Sequence, residues 1–129
     1  MFEGIELFSS LSNEEIKTLE MFCQQRDYKA GEILFNIGDE ASAMYIVKSG
    51  LLEAYNYDKI LGTISPGGFV GEMALFLIPK IRTASVKAVE NSTVITLLSF
   101  SINELLKKHP EIFEKIKGVI EQRNEQNLT

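Results

Sequence analysis

The chain has 129 residues, of which 45% are hydrophobic and 24% charged, and it carries a formal net charge of −5. This size and composition indicate one globular domain, and the acidic balance argues against nonspecific nucleic-acid binding, which needs a basic face. The single cysteine, Cys23, excludes an internal disulfide and favours a reducing, cytoplasmic location. No apolar run approaches the roughly 20 residues that cross a bilayer, so we expect no membrane association.

The N-terminal part of the chain predicts one helix. Ser12 and Glu15 have the spacing of a capping box, in which each side chain satisfies a backbone amide at the start of a helix. The apolar period that follows predicts a helix over residues 13–24 with Cys23 on its inward face. The single thiol is therefore interpreted as a small core residue.

A different pattern extends from residue 28 to residue 98. Short β-rich runs alternate there with Gly, Pro, Asn and Asp turns. The predicted strands are Glu32–Phe35, Met44–Lys48, Leu51–Tyr55, Ile60–Ile64, Ser85–Val89 and Thr93–Leu98. Residues 56–59 predict a tight hairpin between two of them. So many short strands indicate a mainly β domain, either a sandwich or a jelly-roll barrel.

Helical patterns return after the strands. Ser101 and Glu104 predict a second capping box, and Pro110 suits the first position of a last helix. The inward stripe of that helix is predicted to be Ile112, Phe113, Ile116, Val119 and Ile120. The chain thus divides into a helical segment 1–27, a β-barrel part 28–98 and helices over 99–129, all within a single domain.

One short stretch has the chemistry of a sugar-phosphate clamp. Gly71 opens a short helical run, where backbone N–H groups and the helix dipole favour an anion. Arg82 can hold phosphate oxygens through its planar, permanently charged fork. Glu72 would repel a phosphate, but its carboxylate can accept a hydrogen bond from a neighbouring sugar hydroxyl.

The same stretch resembles a known protein family. The run GGFVGEMAL at residues 67–75, followed by RTASV at 82–86, is similar to the phosphate-binding cassette of cyclic-nucleotide-binding domains. Bacterial catabolite activators, regulatory subunits of cyclic-AMP-dependent protein kinase and cyclic-nucleotide-gated channels carry such domains. YKAGEILF at 28–35 and YIVKSG at 45–50 extend the resemblance. One departure is Gly68, where the family usually has Asp.

The resemblance implies a fold and a set of site residues. The fold is an eight-stranded jelly-roll β-barrel with an N-terminal helix and C-terminal helices, an α+β arrangement, and the cassette covers residues 69–86. The implied ligand is cyclic AMP or cyclic GMP. The ligand-binding residues implied for it are Gly71, Glu72, Met73, Ala74, Arg82, Thr83, Leu61 and Ile64.

Two of these assignments keep an alternative. The Thr83 hydroxyl can accept a hydrogen bond from the amino group of guanine, or Thr83 can be an ordinary strand residue with good β propensity. Leu61 and Ile64 can form an apolar wall near the base, or they can be plain core residues.

The function that we expect is that of a cyclic nucleotide sensor, a regulatory module in which ligand binding closes the C-terminal helix. We expect no catalysis, no metal and no other cofactor, because the chain has one His and one Cys and no pattern of metal ligands. We expect a monomer or weak dimer that acts on a protein effector in trans. The alternatives are an interaction domain that keeps the fold without binding nucleotide, and a fragment of a larger regulator.

Overall fold

The structure is a computed structural model that describes residues 1–71 and 81–125, with side chains up to residue 122. Its strands are β1 (Cys23–Tyr28), β2 (Ile33–Phe35), β3 (Ala43–Ser49), β4 (Leu52–Asn56), β5 (Lys59–Ile64), β6 (Phe69–Val70), β7 (Ser85–Ala88) and β8 (Ser92–Leu98). They form two antiparallel four-stranded sheets with the orders β1-β8-β3-β6 and β2-β7-β4-β5. A 3-10 helix (Glu6–Phe8) and α1 (Asn13–Glu20) precede the strands, and α2 (Ser99–Lys108) and α3 (Pro110–Glu125) follow them. The predicted mainly β architecture with helices at both ends is confirmed.

The central strands of the first sheet are buried on both faces. Successive side chains of a strand point to opposite faces, so Met44 and Ile46 of β3 lie on one side, and Tyr45 and Val47 lie on the other. The first pair belongs to the helix-side cluster, in which the sheet packs against the terminal helices. The second pair belongs to the inter-sheet cluster, which fills the space between the two sheets. Burial on both faces explains why the sequence of β3 is almost continuously apolar.

The first helix is shorter than predicted. The capping box is confirmed, since Ser12 Oγ accepts from the Glu15 amide at 3.2 Å and Glu15 accepts from the Ser12 amide at 3.1 Å. However, α1 ends at Glu20, and Cys23 begins the edge strand β1, where it pairs with Leu97 of β8. The predicted start of the helix at residue 13 is confirmed, whereas its predicted end at residue 24 and the place of Cys23 in it are wrong. Cys23 is half-buried, and burial raises the pKa of its thiol to about 12.

The prediction of a second capping box, at Ser101 and Glu104, is wrong. Helix α2 begins at Ser99, two residues before the predicted cap, and its N-cap Leu98 makes no side-chain hydrogen bond. The reason is tertiary: β8 continues to Leu98, and the Ser99 amide then donates to the Ser42 carbonyl at 2.9 Å. Ser101 consequently lies buried within the first turn of the helix.

The last helix begins at Pro110, as predicted, and packs on the N-terminal segment. Ile112 and Ile116 are fully buried in the helix-side cluster, and Val119 and Ile120 are partly buried against it. Phe113 is 38% exposed, so the inward stripe is narrower than predicted. No helix in the described part of the chain is long and apolar enough to span a membrane.

Candidate functional site

The centre of the candidate site is a buried arginine. Arg82 is only 4% exposed, and its guanidinium is held by two backbone carbonyls. Nη1 donates to Gly71 O at 3.0 Å, and Nη2 donates to Ala43 O at 2.6 Å. The structure thus brings together Gly71 and Arg82, the two ends of the predicted clamp that it describes.

Two aromatic rings support the guanidinium. The Arg82 Cζ lies 4.1 Å from the centroid of the Phe35 ring and 5.6 Å from that of Tyr45. The two rings are themselves stacked, with centroids 5.6 Å apart and planes inclined by 27°. A planar guanidinium gains both stacking and cation–π energy on such rings. Phe35 and Tyr45 therefore position the cation, a role that the sequence did not indicate.

The backbone of Arg82 is fixed as firmly as its side chain. The Arg82 amide donates to Asp39 O at 2.8 Å, and the Gly38 amide donates to Arg82 O at 2.9 Å. Glu40 and Ile81 form an adjacent antiparallel bridge. These bonds attach the segment before β7 to the loop between β2 and β3. They therefore fix the position of the arginine relative to that loop.

Gly71 occupies a position that only glycine fits well. Its φ is +86°, and a Cβ added there would lie 2.6 Å from Nη1 of Arg82. Gly67 has nearly the same backbone angle, +89°, but a Cβ there would meet nothing within 4 Å. The glycine at position 71 therefore serves the close approach of the arginine as well as the turn.

The remaining members of the predicted site divide into two groups. Glu72, Met73 and Ala74 lie outside the described residues, so their roles stay predictions. Thr83 is exposed and directly follows the arginine, in a bend before β7, so the alternative that it is a strand residue is wrong. Leu61 and Ile64 lie on β5, where Leu61 is half-buried and Ile64 is buried in the inter-sheet cluster.

Ile64 also accounts for the unusual glycine at position 68. A Cβ on Gly68 would lie 2.9 Å from Ile64 Cγ2 and 3.0 Å from Ser65 O. Any larger residue, including the Asp usual in the family that the sequence resembles, would require the end of β5 to shift. The departure therefore has a steric explanation in this chain.

The family model described as "Cyclic nucleotide-binding domain" matches residues 25–109, a range that contains both Gly71 and Arg82. Within the described residues there is no group of three or more His, Cys, Asp or Glu side chains that could hold a metal ion.

Individual proteins agree with the family match. The chain is 29% identical to the cyclic AMP receptor protein of Thermus thermophilus over 126 residues, which cover 94% of this chain and 58% of that protein. The crystal structure of the Thermus thermophilus catabolite activator protein superposes with a TM-score of 0.76 at 28% identity, covering 94% of this chain and 59% of that one. The regulatory domain of Toxoplasma gondii PKA, crystallised with cAMP, gives a TM-score of 0.67 at 29% identity, with coverages of 76% and 39%.

These likenesses confirm the predicted jelly-roll β-barrel. The chain spans 58% of the length of the receptor protein and 32% of that of a relative from Rhodopseudomonas palustris named as a candidate potassium channel. The matched range covers most of the chain and includes the site described above. This chain therefore belongs to the family of cyclic nucleotide-binding domains.

Proposed function

We propose that the domain is a regulatory sensor that binds cyclic AMP or cyclic GMP and transmits the binding event through α3. The observation that carries the proposal is the buried cation of Arg82 beside Gly71, at the start of the cassette. The chain as a whole is acidic, so the local charge of Arg82 must attract the anion against a mildly repulsive field. The cyclic phosphate would lie between this guanidinium and the amides that follow Gly71.

The proposal assigns the sensor no catalysis and no cofactor, and it places the protein in the cytoplasm. Its output is a contact with a protein effector, not with nucleic acid, and the domain acts as a monomer or weak dimer. A thermal shift with each cyclic nucleotide separates this function from that of an interaction domain without a ligand. A ligand that binds only the native state adds roughly 2.7 kcal/mol to its stability at a hundredfold excess over Kd.

Glu72 is assigned the ribose 2′-hydroxyl, and its prediction concerns the sugar. The wild-type domain should bind 2′-deoxy cyclic nucleotides about 5- to 150-fold more weakly, because a carboxylate that loses its partner costs about 1–3 kcal/mol. Glu72→Ala should abolish most of that difference in calorimetric Kd values. Glu90→Ala, which changes an exposed carboxylate outside the cassette, should leave the difference intact. If the Glu72 variant still distinguishes the two sugars as well as wild type does, Glu72 has another role.

Thr83 is assigned to the choice of base. Thr83 is exposed and follows the arginine by one residue. Its hydroxyl can therefore contact a purine without leaving a buried position. Thr83→Ala should weaken cyclic GMP by about 0.5–1.5 kcal/mol, the usual net value of one hydrogen bond, and leave cyclic AMP nearly unchanged. Thr63→Ala, at an exposed position of β5, is the matched control for titrations with both ligands. Equal losses for the two ligands at Thr83 would mean that it supports the local fold and not the choice of base.

The route from the site to α3 passes through the helix-side cluster. Phe69 lies two residues before Gly71 on β6, and it shares this cluster with Ile112 and Ile116 of α3. A cassette that tightens on a phosphate moves the chain at Gly71 and so disturbs the packing of Phe69. Because close-packed cores shift between discrete arrangements, a small movement at the site can reposition the helix.

The junction between α2 and α3 is suited to act as the hinge of this movement. His109 Nδ1 lies 2.9 Å from a carboxylate oxygen of Glu111, and Nε2 contacts the carboxylate of Glu15 in the first turn of α1. These hydrogen bonds, that with Glu15 foremost, raise the pKa of His109 above its ordinary value. The contact with α1 holds His109 in place. Pro110 has no backbone N–H, so the helical hydrogen bonds of α2 are interrupted at the junction.

Hydrogen exchange tests the transmission step. Saturating cyclic nucleotide should slow amide exchange in residues 110–124 more than in β3 and β8, because the strands are already protected in a central position of a sheet. The ligand changes only the balance between arrangements, in proportion to its preference for one of them. Protection confined to residues 69–86 would show that the signal leaves through the cassette and not through the helix.

A further inference from the structure

A second surface, which shares no residue with the Arg82 site, lies between α1 and α2. The two helices enclose an open cavity of about 350 Å³, called here the α1–α2 groove. Its apolar lining consists of Leu19, Phe22, Phe100 and Leu105. These four side chains come from α1, from the chain just after α1, and from α2, and they form one concave surface.

Large apolar side chains remain exposed at the groove. Phe22 is 47% exposed and Phe100 is 57% exposed, and their rings meet edge to face with centroids 6.1 Å apart. Met21, the neighbour of Phe22 in the chain, is 80% exposed. Exposed aromatic rings that contact each other beside a cavity are typical of interaction sites.

The polar lining of the groove is mainly acidic. It contains the carboxylates of Glu14, Glu15 and Glu104, against one ammonium group, that of Lys108. Glu15 is engaged by His109, whereas Glu104 has only an exposed pairing with Lys107 at 3.3 Å, a type of contact that contributes little. An apolar occupant that carries positive charge at its edges would complement this surface.

We propose that the α1–α2 groove binds a basic amphipathic helix of a partner protein. A helix of this type presents apolar residues along one face, which fits the exposed pair of phenylalanines, and flanking Lys or Arg side chains, which fit the carboxylates. The lining combines exposed aromatic rings with carboxylates, and a segment of protein can supply apolar and basic groups together.

The test uses a fluorescently labelled synthetic peptide of roughly 16 residues, about 24 Å long as a helix, with leucines on one face and lysines on the other. Fluorescence anisotropy should give a micromolar Kd with the intact chain. A peptide with glutamates in place of the lysines should not bind. Glu104→Lys should weaken the basic peptide at least about fivefold, and Phe100→Ala should weaken it about tenfold.

Matched controls lie on α3, at positions outside the groove. Glu114→Lys makes the same charge change at an exposed site, and Phe113→Ala removes an exposed ring. Both should leave the Kd within about twofold of wild type, and circular dichroism should show all four variants folded. Equal weakening by Glu104→Lys and Glu114→Lys would overturn the proposal. It would mean that the peptide is attracted by the overall negative charge of the chain and not by the groove. Binding to neutral phosphatidylcholine vesicles without binding to the peptide would overturn it as well.

Discussion

Arg82→Ala is expected to weaken cyclic nucleotide binding by about 30- to several-thousand-fold in calorimetric titrations. Removal of one partner from a buried, charge-assisted contact costs about 2–5 kcal/mol, which converts to that range of Kd values. Arg82→Lys should also weaken binding clearly, because an ammonium group cannot make the two parallel hydrogen bonds of a guanidinium. The same losses for cyclic AMP and cyclic GMP are expected, since both carry the same phosphate.

The structure adds a second effect of this substitution. Arg82 also holds the free protein together, through the carbonyls of Gly71 and Ala43 and the rings beside them. Arg82→Ala should therefore lower the free energy of unfolding by about 2–4 kcal/mol in urea titrations without ligand. Titrations at low temperature, with the fold checked by circular dichroism, keep the two effects apart.

The matched control for the arginine is Arg26→Ala. Arg26 also lies over an aromatic ring, at 4.9 Å from the Tyr28 centroid, but it is exposed and outside the cassette. Its removal should leave the Kd for both nucleotides unchanged within error. Unchanged affinity in both Arg82 variants would reject the assignment of the cassette.

Gly71→Ala is expected to weaken cyclic nucleotide binding by about tenfold or more, even though it removes no charged group. A non-glycine residue at φ +86° costs about 1–2 kcal/mol of stability. The new methyl group would also approach Nη1 of Arg82 to 2.6 Å, so the guanidinium must leave its present place. A displacement of that size from a phosphate contact should weaken binding by about tenfold or more.

Gly67→Ala separates backbone strain from displacement of the arginine. Position 67 has almost the same φ, and nothing lies within 4 Å of an added Cβ. Both variants should therefore lose similar stability from strain, but only Gly71→Ala should lose affinity in addition. Equal affinities for the two variants, measured by calorimetry, would show that the guanidinium adapts to the methyl group.

The helix caps show what local sequence can predict in this fold. The capping box of Ser12 and Glu15 was predicted correctly because both of its hydrogen bonds lie within four consecutive residues. The same spacing at Ser101 and Glu104 was misleading, since β8 and the bond from Ser99 to Ser42 set the start of α2. The edge strand β1 was missed because its exposed, polar residues lack the apolar alternation of a half-buried strand.

The candidate site shows the same difference between what local sequence predicts and what tertiary contacts decide. A glycine that opens a helix and an arginine a short distance along the chain indicated a phosphate clamp, and the structure places Gly71 and Arg82 in contact. No spacing in the sequence connects Arg82 with Phe35, Tyr45 or Ala43, because those contacts arise only when the two sheets close on each other. Why position 68 is a glycine could likewise be answered only once the side chain of Ile64 was located.

The membership of Phe69, Ile112 and Ile116 in one core cluster has a thermodynamic consequence. If a nucleotide at the cassette changes the position of α3, then any molecule that holds α3 in one position must change nucleotide affinity by the same factor. Such coupling is typically about 1–3 kcal/mol, or roughly 5- to 150-fold. A protein that holds α3 in one position would thus change the nucleotide concentration at which the domain responds, and the nucleotide Kd would differ by that factor between the domain alone and the domain with that protein bound.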